Sequence, residues 1–139
     1  MNAKVKFLIV DDEPVVRQAF ARILSGDHCI VETADNGQEA LRKMAQQPFD
    51  VVLLDLKMPG MDGLTVLREI KQHWPDSEVI VVTGYAALDS AKASVVAGAF
   101  DYLPKPVGPE EVLEATNGAL LHKRWALRRD APAAALQVH

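Results

Sequence analysis

Asp11, Asp12, Asp55, Thr83 and Lys105 stand where short apolar runs end, and their types together define a chemistry. Asp11 and Asp12 follow VKFLIV, Asp55 follows VVLL, Thr83 follows VIVV, and Lys105 follows FDYLP. A carboxylate at the exit of a buried run needs a cation, hydrogen-bond donors or a reaction, because burial without a partner is costly. Adjacent strands lie about 4.8 Å apart, so if the first and third runs are neighbours the three acids converge. Like charges so close push pKa values up unless a cation neutralises them, and an all-oxygen acidic cluster suits Mg²⁺. Asp55 is then placed as a nucleophile toward phosphorus. The metal and Lys105 would counter charge on the phosphoryl oxygens, and the Thr83 hydroxyl would donate to a third oxygen. Each residue alone has a plainer reading: a strand-exit Asp as a turn cap, Thr83 as a β-branched filler, Tyr102 as an edge packer. The set, not any single member, points to phosphoryl chemistry.

The elements that must position these residues follow from periodicity. VKFLIV (5–10) reads as a strand buried on both faces, and Pro14 suits the first turn of a helix whose apolar residues recur to Leu24 before Ser25-Gly26 stops it. Cys29 to Thr33 is a second strand. Asn36 or its neighbour caps a helix with Ala40, Leu41 and Met44 on one face, which Pro48 closes. Phe49 to Asp55 forms the third strand. After the MPGMDG turn, Leu64, Leu67 and Ile70 define a third helix ending near His73-Trp74-Pro75. Val79 to Thr83 is the fourth strand, Ala87 to Ala97 a small-residue helix closed by Gly98, and Phe100 to Leu103 the fifth strand. Pro109 opens a last helix that runs through the 120s. Five strands alternating with helices imply an α/β fold, a doubly wound parallel sheet covered on both faces. Ligands of such sheets bind beyond the carboxyl ends of the strands, where the polar residues above are delivered.

Composition narrows the function classes. A chain of 139 residues is one domain with a short tail, and 49% hydrophobic with 24% charged residues is the balance of a soluble globular protein. The single Cys29 excludes an internal disulfide, and it reads as a small buried hydrophobe. The N-terminal MNAKVKFLIVDDE lacks the features of a signal peptide, so a cytoplasmic location is expected. No apolar run approaches the roughly 18 residues of a membrane span. A formal charge of −4 argues against a nucleic-acid-binding role for the chain alone. His28, His73, His122 and His139 are scattered without metal-ligand spacing and read as structural or solvated. His122 to Arg129 is a basic stretch around Trp125. It reads as an overrun of the last helix whose cations suit its carboxyl end, ahead of a frayed Ala-rich tail. A contact with nucleic acid or an acidic partner, or a dimer helix using Leu113, Leu120 and Leu127, are the other readings of this stretch.

The motifs LIVDDEP, ADNGQEAL, VVLLDLKMPGMDG, VVTGYA and AGAFDYLPKP, at these spacings, resemble the receiver domain of bacterial two-component response regulators from Val5 to about Leu121. The segment from VVTGYA onward is most similar to receivers attached to σ54-dependent transcription activators, or to stand-alone receivers. No P-loop motif or helix-turn-helix pattern follows. The resemblance implies a flavodoxin-like sheet of order 2-1-3-4-5. It implies a receiver domain over residues 1–122, with a helix extension and flexible tail over 123–139. It makes Asp55 the phosphoacceptor, with Asp11, Asp12, Asp55 and the backbone carbonyl of Lys57 as ligands of Mg²⁺. Thr83 and Lys105 become the phosphate-sensing pair, Tyr102 the aromatic switch that follows Thr83, and Lys105-Pro106 a cis peptide. The implied partners are a sensor histidine kinase, an effector domain or protein, and a second copy meeting the fourth helix, fifth strand and fifth helix.

The expected function is a phosphorylation-controlled signalling switch and not an enzyme acting on other molecules. Two alternatives stand beside it. One is a stand-alone Mg²⁺-dependent phosphohydrolase passing through an aspartyl phosphate; against it, Lys57 occupies the position two after Asp55 where a general acid/base would be needed. The other is a phosphorylation-independent adaptor, which the complete Asp/Asp/Thr/Lys set disfavours.

Overall fold

Runs of β-branched and aliphatic residues bounded by turn formers fold as the periodicity dictates, in strict alternation of strand and helix. The computed structural model describes residues 4–84 and 88–129. Within them the order is β1 (Val5–Val10), α1 (Pro14–Leu24), β2 (Cys29–Ala34), α2 (Gly37–Gln46), β3 (Val51–Leu54), α3 (Gly63–His73), β4 (Glu78–Thr83), α4 (Leu88–Val96), β5 (Asp101–Pro104) and α5 (Pro109–Arg129). The strands form one parallel sheet in the order β2-β1-β3-β4-β5. This is the doubly wound, flavodoxin-like arrangement, with the order reversing between β1 and β3.

Because side chains alternate along a strand, the same runs feed two cores. Leu8, Val10, Val52, Leu54, Val79 and Val81 point to one side, where they meet Ala40 and Met44 of α2 and Val66, Leu67 and Ile70 of α3. Phe7, Ile9, Val51, Leu53, Ile80 and Val82 point to the other, against Phe20 and Leu24 of α1 and Val112, Ala115 and Ala119 of α5. Every residue of β3 and β4 is buried. At about 1.5–3 kcal/mol for each fully buried Val, Leu or Ile, these two strands anchor the domain. The face of α4 is much weaker: Ser94 is its one buried residue, while Leu88, Val95 and Val96 are exposed.

Strand ends differ by a residue or two from the sequence reading. β3 is shorter, since Phe49 and Asp50 precede it and Asp55 follows it. The Asp50 carboxylate accepts from the Lys6 N–H at 2.8 Å, so Asp50 closes the amino edge of the sheet instead of extending β3. The Asp55 N–H still donates to the Val10 carbonyl at 3.0 Å, which fixes its position against β1. β4 begins earlier, at Glu78, a buried acid within hydrogen-bonding reach of His122 and 3.5 Å from the Lys71 ammonium. β2 runs on to Ala34 and β5 to Pro104. Cys29 is partly buried at an edge strand, not fully enclosed. Asn36 is the helix cap: its side chain accepts from the Glu39 N–H at 2.8 Å. The start expected for α4, at Ala87, lies outside the described residues, as does the tail beyond Arg129. α5 continues without a break through His122 and Lys123 to Arg129.

The loop after β3 depends on two glycines. Gly60 has φ +85°, a region that residues with a Cβ seldom occupy. Gly63 opens α3 directly against the preceding loop, its N–H donating to the Leu56 carbonyl at 3.1 Å. A Cβ at this position would stand 2.4 Å from the Leu56 Cα and 2.8 Å from the Asp55 carbonyl oxygen, both backbone atoms. Gly63→Ala is therefore expected to lower unfolding free energy by about 1–3 kcal/mol, the usual cost of overpacking, measured by urea denaturation. An unchanged midpoint would contradict the close approach.

Candidate functional site

Asp11 follows the last residue of β1 and Asp55 the last of β3, adjacent strands in register from Phe7↔Val51 to Val10↔Leu54. The pairing brings the carboxylates together, and Asp12 joins them from the next position along the β1 loop. One oxygen from each of Asp11, Asp12 and Asp55 lies within 4.8 Å of the others. Asp11 and Asp55 are buried; Asp12 sits nearer solvent. From the end of β5, Lys105 reaches back across the sheet edge: its Nζ is 2.7 Å from Asp11 Oδ2 and 3.4 Å from Asp55 Oδ2. Asp12, Glu13, Asp55, Lys57, Thr83, Gly84 and Lys105 line a cleft of about 320 Å³ above the carboxyl ends of the strands.

The acids are held in place from several sides. Asp11 Oδ1 accepts from the Glu13 N–H at 2.9 Å, and the Asp11 carbonyl accepts from the Arg17 guanidinium at 2.6 Å. Asp55 Oδ1 accepts from the Lys57 N–H at 3.2 Å, folding the loop back over the acid that precedes it. Thr83 ends β4 on the cleft wall and is fully enclosed. Tyr102 of β5 lies one strand away, its hydroxyl 3.0 Å from the Ser90 Oγ of α4. The Lys105–Pro106 peptide is cis.

Charge balance follows from these contacts. Burial pushes the Asp11 carboxyl above its ordinary value, and the hydrogen bonds from Lys105 and Glu13 offset only part of that. Burial acts downward on Lys105, but the Asp11 and Asp55 carboxylates outweigh it and hold the ammonium above its ordinary value. One ion pair thus favours both charges, yet Asp11 still rises because its own desolvation is larger.

The structure brings together all the residues that the sequence placed at strand exits: Asp11, Asp12, Asp55, Thr83 and Lys105, with Lys57 on the cleft wall and Tyr102 on the neighbouring strand. Three contributors were not singled out. Glu13 carries an oxygen 3.7 Å from the Lys105 Nζ, Arg17 fastens the β1 loop, and Ser90 holds the Tyr102 hydroxyl. The signal for Arg17 was available, as a cation one turn into the helix that starts beside the acid pair. Ser90 gave none, since only the packing of α4 on β5 brings it to Tyr102.

A parallel sheet carrying acids at the ends of adjacent central strands, with a lysine reaching them from the edge strand, defines an α/β domain built around an acidic cleft. Residues 7–117 match the response regulator receiver domain family, and the chain belongs to that family. It is 41% identical over 114 residues to the DNA-binding transcriptional regulator NtrC of Escherichia coli K12, covering 82% of this chain and 24% of that protein. It is also 41% identical over 128 residues to the response regulator MprA of Mycolicibacterium vanbaalenii, covering 92% of this chain and 52% of that one. The chain therefore spans about a quarter of the first relative's length and about half of the second's. A CheY-like receiver domain from Methanospirillum hungatei JF-1 superposes with a TM-score of 0.86 at 33% identity, over 89% of this chain and 99% of that one.

The raised Asp11 carboxyl sets a direction for pH dependence. A carboxyl whose folded pKa lies above its unfolded value of 3.8 gives stability that is fully present below 3.8 and lost as pH rises through the folded pKa. At neutral pH and without divalent cations, Asp11→Asn is expected to be more stable than the parent chain. That advantage shrinks as pH falls toward 3.8 in chemical denaturation. A parent chain more stable than the variant at neutral pH would overturn this balance.

Proposed function

We propose that this receiver domain is a phosphoacceptor switch of a two-component system, phosphorylated on Asp55. The supporting observation is the convergence of Asp11, Asp12 and Asp55, with Lys105 Nζ shared between two of them. The donor set is all oxygen, acidic and open to the cleft, which fits Mg²⁺ better than a softer ion. Asp11, Asp12, Asp55 and the backbone carbonyl of Lys57 would hold it. When bound, Mg²⁺ supplies charge neutralisation at the carboxylates and at a phosphoryl oxygen.

The chain's own groups account for the rest. A carboxylate oxygen of Asp55 attacks the phosphorus of a phosphohistidine on a sensor histidine kinase; the O–P bond forms as the P–N bond breaks, and the released imidazole takes a proton from solvent. Lys105 exchanges the Asp55 oxygen for a phosphoryl oxygen, and the Thr83 hydroxyl donates to another. Tyr102 follows Thr83, and the face formed by α4, β5 and α5 shifts its population. A differential of a few kcal/mol is enough for that shift. The reader is an effector domain or protein, and a second copy meeting the α4-β5-α5 face is one form the output can take. The setting is cytoplasmic; among the described residues no helix is long and apolar enough to cross a membrane. Catalysis is limited to the domain's own phosphorylation and dephosphorylation. Lys57 stands where a stand-alone phosphohydrolase would need a general acid/base, which disfavours that alternative.

With acetyl phosphate and Mg²⁺ the chain is expected to gain one acid-stable, hydroxylamine-labile phosphoryl group, lost on chelation and lost in Asp55→Asn. Intact-mass spectrometry reads the gain. An adduct persisting in that variant would refute the site.

A further inference from the structure

Three carboxylates meet in the cleft, and side-chain contacts hold two of them. Asp11 accepts from the Glu13 N–H and the Lys105 ammonium, and Asp55 accepts from the Lys57 N–H and the same ammonium. Asp12 differs: among the described residues no donor stands within hydrogen-bonding distance of its carboxylate, although that carboxylate shares the cluster. The direction of Asp12 is therefore set by the backbone on either side of it.

The sheet releases the chain just before that residue. The Asp11 N–H donates to the Ala34 carbonyl at 3.1 Å, and the Asp55 N–H donates to the Val10 carbonyl at 3.0 Å. The next carbonyl, that of Asp11, belongs to the Asp11–Asp12 peptide, and its donor comes from α1: Arg17 Nη1 lies 2.6 Å away. Because a peptide unit is planar, a bond to the Asp11 oxygen also fixes the direction in which the chain enters the Asp12 Cα. The Arg17 backbone N–H donates to the Glu13 carbonyl at 3.1 Å, so one residue ties the strand exit to the first turn of the helix, with Asp12 between the two ties. Helix stability does not explain this placement, since the helix dipole disfavours a cation so close to the amino end.

We infer that Arg17 is a positioning residue for the cation site: by holding the Asp11 carbonyl, its guanidinium keeps the Asp12 carboxylate directed into the cleft. This rests on the reading of Asp11, Asp12 and Asp55 as ligands of Mg²⁺. A ligand directed in advance needs less ordering when the ion binds, and groups that orient metal ligands contribute about 10-fold or more to affinity. Arg17 also places a positive charge beside the acids, and that charge alone would repel a divalent cation. The two effects have opposite signs. Deleting the side chain strengthens Mg²⁺ binding if only its charge matters, and weakens it if its hold on the Asp11 carbonyl matters.

The test is the Mg²⁺ affinity of the full, unphosphorylated chain, measured by isothermal titration calorimetry. R17M, which keeps an unbranched stem and removes the donors, is expected to raise the Kd about 10-fold, and the milder R17Q to raise it in the same direction. R17K keeps a cation and a donor for one carbonyl, and is expected to stay within about 3-fold of the parent. R22M removes the same charge from the far end of α1 and is expected to leave the Kd unchanged. In a D12N background R17M is expected to add less than about 2-fold, because the group that Arg17 positions is already altered. Urea denaturation of each variant confirms folding. A Kd in R17M and R17Q equal to or below the parent's, or an R17M effect undiminished in D12N, would overturn the inference and leave the cation site standing. A parent chain that binds no Mg²⁺ would overturn both.

Discussion

The domain depends on one crowded contact, the meeting of the Asp11 and Asp55 carboxylates at the ends of adjacent buried strands. Parallel pairing of β1 and β3 leaves these two acids no way to separate, because the register that fills both cores also fixes their spacing. Lys105 is the chain's answer to that repulsion, with its ammonium on both carboxylates. The Glu13 and Lys57 N–H groups each satisfy one further oxygen. Burial, more than the neighbouring Asp55 charge, still leaves the Asp11 carboxyl above its ordinary value. A cation or a phosphoryl group entering the cleft changes that balance, and each does so by engaging groups that now hold one another.

The remainder of the fold holds that contact rigid and leaves its neighbourhood adaptable. β3 and β4 are wholly buried and carry Asp55 and Thr83 at one end. At their other end they carry Asp50 and Glu78, which bind Lys123 and His122 of α5. The second half of α5 is thus fastened at the sheet edge opposite the cleft, with the His122 ring between those of Phe100 and Trp125. By contrast, α4 buries one small residue and meets β5 through the Ser90–Tyr102 contact. An element held by few buried apolar contacts is the one expected to move at least cost.

Much of this was legible in the chain because burial and chemistry left local signatures. Unbroken apolar runs marked β1, β3 and β4, and polar residues just beyond them marked the cleft, since an exit residue on a parallel strand has nowhere else to go. What stayed hidden was made by packing. Glu78 reads as an exposed acid before a strand, yet it is buried and its partner His122 lies 44 positions away. Lys123 reads as one of several tail cations, yet it reaches Asp50 across 73 positions. Periodicity identifies the face a helix presents, but not which distant acid it will meet there.

The central claim is that the acids hold a divalent cation and that this prepares Asp55 for a phosphoryl group read by Thr83 and Lys105. Amide NMR spectra of the full chain, recorded with Mg²⁺ alone, with beryllofluoride alone, and with both, test it most directly. The account predicts that Mg²⁺ moves the amides around Asp11, Asp12 and Lys57, and that beryllofluoride moves those of Thr83 and Lys105 only when Mg²⁺ is present. Equal shifts at Thr83 and Lys105 without Mg²⁺, or none with both, would contradict it.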